Sequence, residues 1–283
     1  MIKFEHSIFA LPFALTGALL ALRGAGLSAG EVAAKLAWIV LAMVAARSAA
    51  MAFNRVVDAE IDARNPRTSM RAIPAGQVSK RFTWGFIAVW SAVFVCAAAM
   101  LNPLCLALSP VALAIVCGYS YTKRFTSMAH LVLGLALGIA PAAAWIAVRG
   151  SADPAIWLLT AAVMLWVGGF DIIYACQDTD FDRSAGLYSL PSRLGPARSL
   201  LLARALHALM AGLLLLLWHE MGLGWIGLAG IAAVVALLIY EHSLVSADDL
   251  SKVNAAFFAV NGYVSVLFFL FWGVDIVWSG GLR

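Results

Sequence analysis

Charge is what this sequence has least of. Only 12% of its 283 residues are Asp, Glu, Lys or Arg, and 63% are hydrophobic. A soluble domain carries about 25% charged residues, so the shortage excludes a soluble enzyme. It places residues 1–283 in a single integral-membrane domain. Cysteine is scarce too: Cys96, Cys105, Cys117 and Cys176 sit in apolar runs with no C-x-x-C spacing. That pattern reads as small buried hydrophobes and excludes a disulfide framework. No cleavable leader is expected either. Pro12 and Gly17 interrupt the first apolar run and no small-residue cleavage site follows a basic start, so the run is expected to stay as a helix.

What the chain does have is long hydrophobic runs. A spanning helix needs about 20 mostly apolar residues. Nine runs meet or approach that rule: 7–22, 32–53, 82–101, 103–121, 129–148, 155–176, 200–218, 223–240 and 255–278. Backbone groups in lipid must be satisfied within the chain, so an all-α, nine-helix bundle is expected. Basic residues set its orientation. Arg55, Arg64, Arg67, Arg71, Lys80, Arg81, Lys123, Arg124, Arg183, Arg193, Arg198 and Lys252 fall in loops after even-numbered runs, and Lys3 precedes the first. Arg23, Lys35, Arg149 and Arg283 lie on the other side. The N-terminus and even loops are therefore expected in the cytoplasm of a bacterial inner membrane, with the C-terminus outside.

Two polar stretches follow apolar runs on that cytoplasmic face. One contains Asn54, Asp58 and Asp62; the other contains Tyr174, Asp178 and Asp182. Residues four apart share a helix face, where like charges repel, and carboxylates are disfavoured at a helix C-terminus. A divalent cation between the carboxylates reverses both penalties. Oxygen donors without His or Cys suit Mg²⁺, which binds through a few carboxylates plus substrate phosphates. Glu60 and Asp180 fall off the shared faces and read as solvated or outer groups. The stretches 58–76 and 178–195 also echo each other weakly, each running from Asp through Arg and Ser to Pro and Gly.

Phosphate needs cations as well. Arg64, Arg67, Arg71, Lys123 and Arg124 share the cytoplasmic loops with the acidic motifs, and Arg can fork onto phosphate oxygens. Lys80, Arg81 and Arg198 read as topology signals only. Arg47 and Asp171 differ because both lie inside apolar runs, where an ionisable residue is a functional hypothesis by default. Each is seven residues before a motif residue, Asn54 or Asp178, hence on the same face and deeper. The bland reading is a mutual ion pair. His130, His207, His219 and His242 lie near run ends and are assigned nothing.

These motifs resemble the UbiA superfamily of intramembrane aromatic prenyltransferases over nearly the whole chain. The carriers are N-x-x-x-D-x-x-x-D at Asn54, Asp58 and Asp62, and D-x-x-x-D at Asp178 and Asp182. Y-x-x-x-K-R at Tyr119, Lys123 and Arg124, and R-x-I-P-A-G from Arg71 to Gly76, support them. The resemblance implies nine helices around a central cavity capped by the motif loops. It implies Mg²⁺-dependent transfer of a polyprenyl chain from its diphosphate to an aromatic acceptor. Asp58, Asp62, Asp178 and Asp182 would hold the metal. Many members have Asp where this chain has Arg55, which removes one possible ligand. In that mechanism Tyr119, Tyr121 or Tyr174 would face the allylic cation, Asp171 would serve as base or acceptor contact, and Arg47 would meet an acceptor carboxylate.

The chain looks most like the 4-hydroxybenzoate polyprenyltransferase group of ubiquinone biosynthesis. The segment Phe4–Pro12 is also similar to members on the futalosine route to menaquinone, which makes aminodeoxyfutalosine or a naphthoate the alternative acceptor. Two other classes are weaker. A CDP-alcohol phosphotransferase needs D-G-x-x-A-R, which neither motif supplies. A divalent-cation transporter needs carboxylates mid-span along a polar path. The lipid bilayer is the expected surroundings; nucleic acid is not an expected partner.

Overall fold

The computed structural model describes residues 7–278, with side chains from Phe9 onward. Long helices dominate it, and no strand occurs among the described residues. The elements are α1 (Ser7–Leu22), α2 (Ala29–Val57), α3 (Ala59–Arg64), α4 (Lys80–Leu101), α5 (Pro103–Thr122), α6 (Ala129–Arg149) and α7 (Ile156–Ala175). They continue with α8 (Thr179–Ser184), α9 (Leu190–Leu194), α10 (Pro196–Glu220), α11 (Trp225–Ser243), α12 (Val253–Ala255) and α13 (Asn261–Trp278). A π turn at Ala256–Val260 joins the last two. Eight helices are long and apolar enough to cross a membrane; the apolar part of α1, Phe9–Leu22, is shorter. The nine expected runs thus recur as eight full spans and one short helix. Lys3, Arg283 and the first three residues of Phe4–Pro12 lie outside the described residues.

Local chemistry sets the boundaries. Ser28 and Glu31 form a capping box that starts α2 three residues before its apolar run, and the helix continues past Phe53 to Val57. Asn102 ends α4 in extended conformation while its side chain caps α5 at Cys105 N–H, with Pro103 in the first helical position. That single residue makes the tight hairpin. Gly150 ends α6 with φ at 71°, a left-handed position glycine adopts without strain.

Neighbouring helices pass round the bundle as α2, α4, α5, α6, α7, α10, α11 and α13, and α1 closes the circuit against α13, α6 and α2. The α6–α7 contact depends on small residues. A Cβ on Gly134 would lie 2.2 Å from the Met164 carbonyl oxygen, and one on Gly138 would lie 2.7 Å from that of Thr160. Small residues let backbones approach in lipid, where packing rather than water exclusion drives association. Phe13 stacks on Phe268 and tilts against Trp166, filling the core between α1, α7 and α13.

Candidate active site

Each acidic motif bends its helix at its first aspartate. Asp58 sits at φ −88°, ψ 2° between α2 and α3, and Asp178 at φ −101°, ψ 9° before α8. Both values lie in the sparsely used bridge region. The i→i+4 bonds from Asp58 N to Asn54 O and from Asp62 N to Asp58 O pass through the first bend. The helical spacing of Asn54, Asp58 and Asp62 therefore survives it. Each bend leads into a six-residue helix, and the two linkers reach a left-handed glycine at Gly76 and Gly195. The sequence echo therefore has a backbone counterpart.

The two motifs face one polar chamber of about 250 Å³, lined by Asp58, Asp62, Asp171, Asp178 and Asp182 among others. Cations clamp the carboxylates. Lys123 Nζ reaches Asp58 Oδ2 at 2.6 Å, and Asn54 Nδ2 donates to the same oxygen at 2.9 Å. Arg71 Nη1 meets Asp62 Oδ1 at 2.7 Å. Arg67 crosses from the first motif loop to Asp178, with Nε to Oδ1 at 2.9 Å and Nη2 on Oδ2. Its remaining terminal nitrogen, Nη1, donates to Tyr174 Oη at 2.8 Å. Burial pulls the Arg67 pKa down, but the bonds and charge of Asp178, helped by Tyr174, more than offset that and hold it above its ordinary value.

The donors are of a kind that suits a divalent cation, although no three carboxylates among the described residues bring their oxygens within 4.8 Å of one another, each being held by its own basic partner or its own loop. Asp58 and Asp62 are 1% and 3% exposed. Asp62 Oδ2 is buried with no hydrogen-bond partner, and Arg55 stands 4.0 Å away. A buried carboxylate oxygen left bare is costly unless a cation meets it.

Beneath the polar chamber lies a larger apolar one of about 330 Å³, and Asn54, Tyr119 and Leu133 line both. Its walls come from α1, α2, α4, α5, α6 and α7, with Phe257. Its ionisable side chains with formal charge are Arg47 and Arg55. Two cations there oppose passage of a divalent metal ion, which weighs against a transporter.

The expected residues do not all converge. Arg64 bonds only to the Glu60 carbonyl oxygen at 3.3 Å and points to the outside. Arg124 lies at the rim, with Nη2 on the Val57 carbonyl at 2.8 Å and on Asp58 Oδ1 at 3.4 Å. Its guanidinium lies over the Tyr121 ring at 5.3 Å. The Arg47–Asp171 ion pair does not form. Arg47 Nε is buried without a hydrogen-bond partner, whereas Asp171 Oδ2 accepts from His130 Nδ1 at 2.7 Å. The reason is that Arg47 lines the lower chamber and Asp171 the upper. His130, which the sequence left unassigned, is part of the site: it is 4% exposed, and its Nε2 accepts from Leu190 N–H at 3.2 Å. That fixes the tautomer with the proton on Nδ1, donated to Asp171. Asn65 is the other unexpected member, with Nδ2 to Asp178 Oδ1 at 3.0 Å. Its position just beyond α3 was the available signal; for His130 the sequence carries none.

Acidic loops facing each other across basic clamps, above an apolar chamber within a helical membrane bundle, define an intramembrane enzyme of the prenyltransferase class. The UbiA prenyltransferase family model matches residues 10–278, and the chain belongs to that family. It is similar to the 4-hydroxybenzoate octaprenyltransferase of Alkalilimnicola ehrlichii, 32% identical over 206 residues, covering 73% of this chain and 70% of that one. The same enzyme of Photobacterium profundum is 29% identical over 231 residues, with 82% and 80% covered. Among solved structures, a UbiA homolog from Aeropyrum pernix K1 superposes with a TM-score of 0.87 at 36% identity, covering 99% and 100%. A UbiA homolog from Archaeoglobus fulgidus bound to DMAPP and Mg²⁺ shares the fold, at TM-score 0.73 and 21% identity, covering 96% and 95%.

Proposed function

We propose that this prenyltransferase moves a polyprenyl chain from its diphosphate to a carboxylate-bearing aromatic ring, 4-hydroxybenzoate, using Mg²⁺. The observation that carries the acceptor is Arg47, whose buried Nε has no partner in an apolar chamber opening beneath the acidic loops. A planar guanidinium there suits a carboxylate. The names of the curated relatives point the same way.

Asp58, Asp62, Asp178 and Asp182 would hold Mg²⁺, which neutralises diphosphate charge and makes it a better leaving group. Arg67, Arg71 and Lys123 then exchange carboxylate oxygens for diphosphate oxygens. The prenyl tail lies in the apolar chamber, whose walls keep water from the allylic cation. Tyr119 and Tyr174 offer that cation π faces. Once the C–O bond to diphosphate has broken, the ring carbon beside the hydroxyl attacks C1 of that cation. Asp171, held by His130, takes the displaced ring proton, which restores aromaticity. The motif face is cytoplasmic, in the inner membrane of a bacterium, as the basic loops indicate.

The test is product analysis with purified protein, a short prenyl diphosphate and a panel of acceptors. Prenylated 4-hydroxybenzoate should form with Mg²⁺ and stop in chelator. A product on aminodeoxyfutalosine or a naphthoate, with none on 4-hydroxybenzoate, would overturn the acceptor and leave the chemistry.

A further inference from the structure

We propose that His207, Glu241 and His242 form a second metal site, a zinc site that joins α10 to α11 on the side of the bundle away from both chambers. None of the three lines either chamber. Their ligand atoms all lie within 4.8 Å of one another, the one such group of His, Cys, Asp or Glu among the described residues. His207 Nδ1 is 3.0 Å from His242 Nε2 and 3.7 Å from Glu241 Oε2. A tetrahedral zinc with bonds of about 2.0–2.1 Å has ligand–ligand edges of about 3.4 Å. The two separations from His207 bracket that value, and the third, between Glu241 and His242, is no more than 4.8 Å, so side-chain adjustment is needed to bring all three onto one ion.

The surroundings orient two of the three donors, while His242 Nδ1 is buried with no hydrogen-bond partner. His207 Nε2 faces the Trp166 carbonyl oxygen at 3.1 Å, which places its proton there and turns the Nδ1 lone pair toward Glu241 and His242. Asn261 Nδ2 donates to Glu241 Oε1 at 2.5 Å, and Asn261 Oδ1 accepts from Trp166 Nε1 at 2.7 Å. That leaves Glu241 Oε2 as the free oxygen of a side chain 0% exposed, and it has no hydrogen-bond partner. Space for the His207 ring comes from Gly169, where a Cβ would lie 2.3 Å from Nε2. An unpartnered carboxylate oxygen beside two imidazoles, inside a membrane bundle, is costly unless a cation joins it. Two nitrogens and one oxygen suit zinc, whereas the all-oxygen set of the acidic motifs suits magnesium.

The experiment is metal analysis of protein carrying no polyhistidine tag, grown with zinc and dialysed against zinc-free buffer. Roughly one zinc per chain is expected. Glu241→Gln and His207→Asn should lose it, and Asp62→Asn should keep it. X-ray absorption on the wild type should show nitrogen and oxygen neighbours at about 2.0–2.1 Å and no sulfur. Removing zinc with a chelator should lower Tm, and zinc but not magnesium should restore it; this arm stands even if the variants fail to fold. A zinc-free wild type overturns the proposal. Zinc kept by Glu241→Gln, or lost in Asp62→Asn, overturns it equally.

Discussion

Arg67 and Asp178 join the two acidic loops across 111 residues of chain, through Nε on Oδ1 at 2.9 Å and Nη2 on Oδ2. A two-point fork fixes orientation as well as distance, so it sets how the loops face each other. Arg67→Lys keeps the charge and loses the fork. It should lower kcat about tenfold or more, with kcat/KM falling for both substrates, as steady-state kinetics would measure. An unchanged kcat would show that the fork plays no part in turnover.

The four aspartates should behave as one unit. Asp58→Asn, Asp62→Asn, Asp178→Asn and Asp182→Asn should each reduce kcat about a hundredfold or more while the protein still folds. Pairing a change in one loop with a change in the other should cost little beyond the single change. Losses that multiply in a double-mutant cycle would show two independent sites.

Lys123 is expected to serve the diphosphate. It now holds Asp58 Oδ2 at 2.6 Å from the end of α5, within the polar chamber. Lys123→Ala should raise KM for prenyl diphosphate about ten- to a hundredfold and leave the acceptor KM nearly unchanged. A rise confined to the acceptor would contradict this.

Much of this arrangement was readable in the sequence. Spans follow from runs of about 20 apolar residues, and Asp58 with Asp62 share a face because the i→i+4 bonds persist through the bend. The bends at Asp58 and Asp178 were not readable, because a four-residue spacing looks the same on a straight helix. Nor was the partner of Asp171. Its pairing with His130 depends on how closely α6 meets α7, which Gly134 and Gly138 decide through backbone contacts far apart in sequence. The cluster at His207, Glu241 and His242 was hidden for the same reason: two helices must pack before His207 meets the adjacent pair Glu241 and His242.

That close approach has its own test. Gly134→Ala puts a Cβ 2.2 Å from the Met164 carbonyl oxygen, and overpacking of this kind costs about 1–3 kcal/mol. Tm in detergent should fall. Because the α6–α7 contact holds His130 against Asp171, kcat should fall with it at temperatures where the protein is folded. A variant with wild-type Tm would show that the helices can move apart freely.

Arg47 gives the most direct test of the central claim, that the lower chamber receives an acceptor anion beneath the diphosphate site. The measurement is the acceptor KM of Arg47→Ala with 4-hydroxybenzoate, beside an acceptor of similar size lacking the carboxylate. The account predicts a rise of about tenfold or more for 4-hydroxybenzoate, no change for the carboxylate-free ring, and unaltered binding of prenyl diphosphate and Mg²⁺. An unchanged KM for 4-hydroxybenzoate would contradict it and make Arg47 a structural residue.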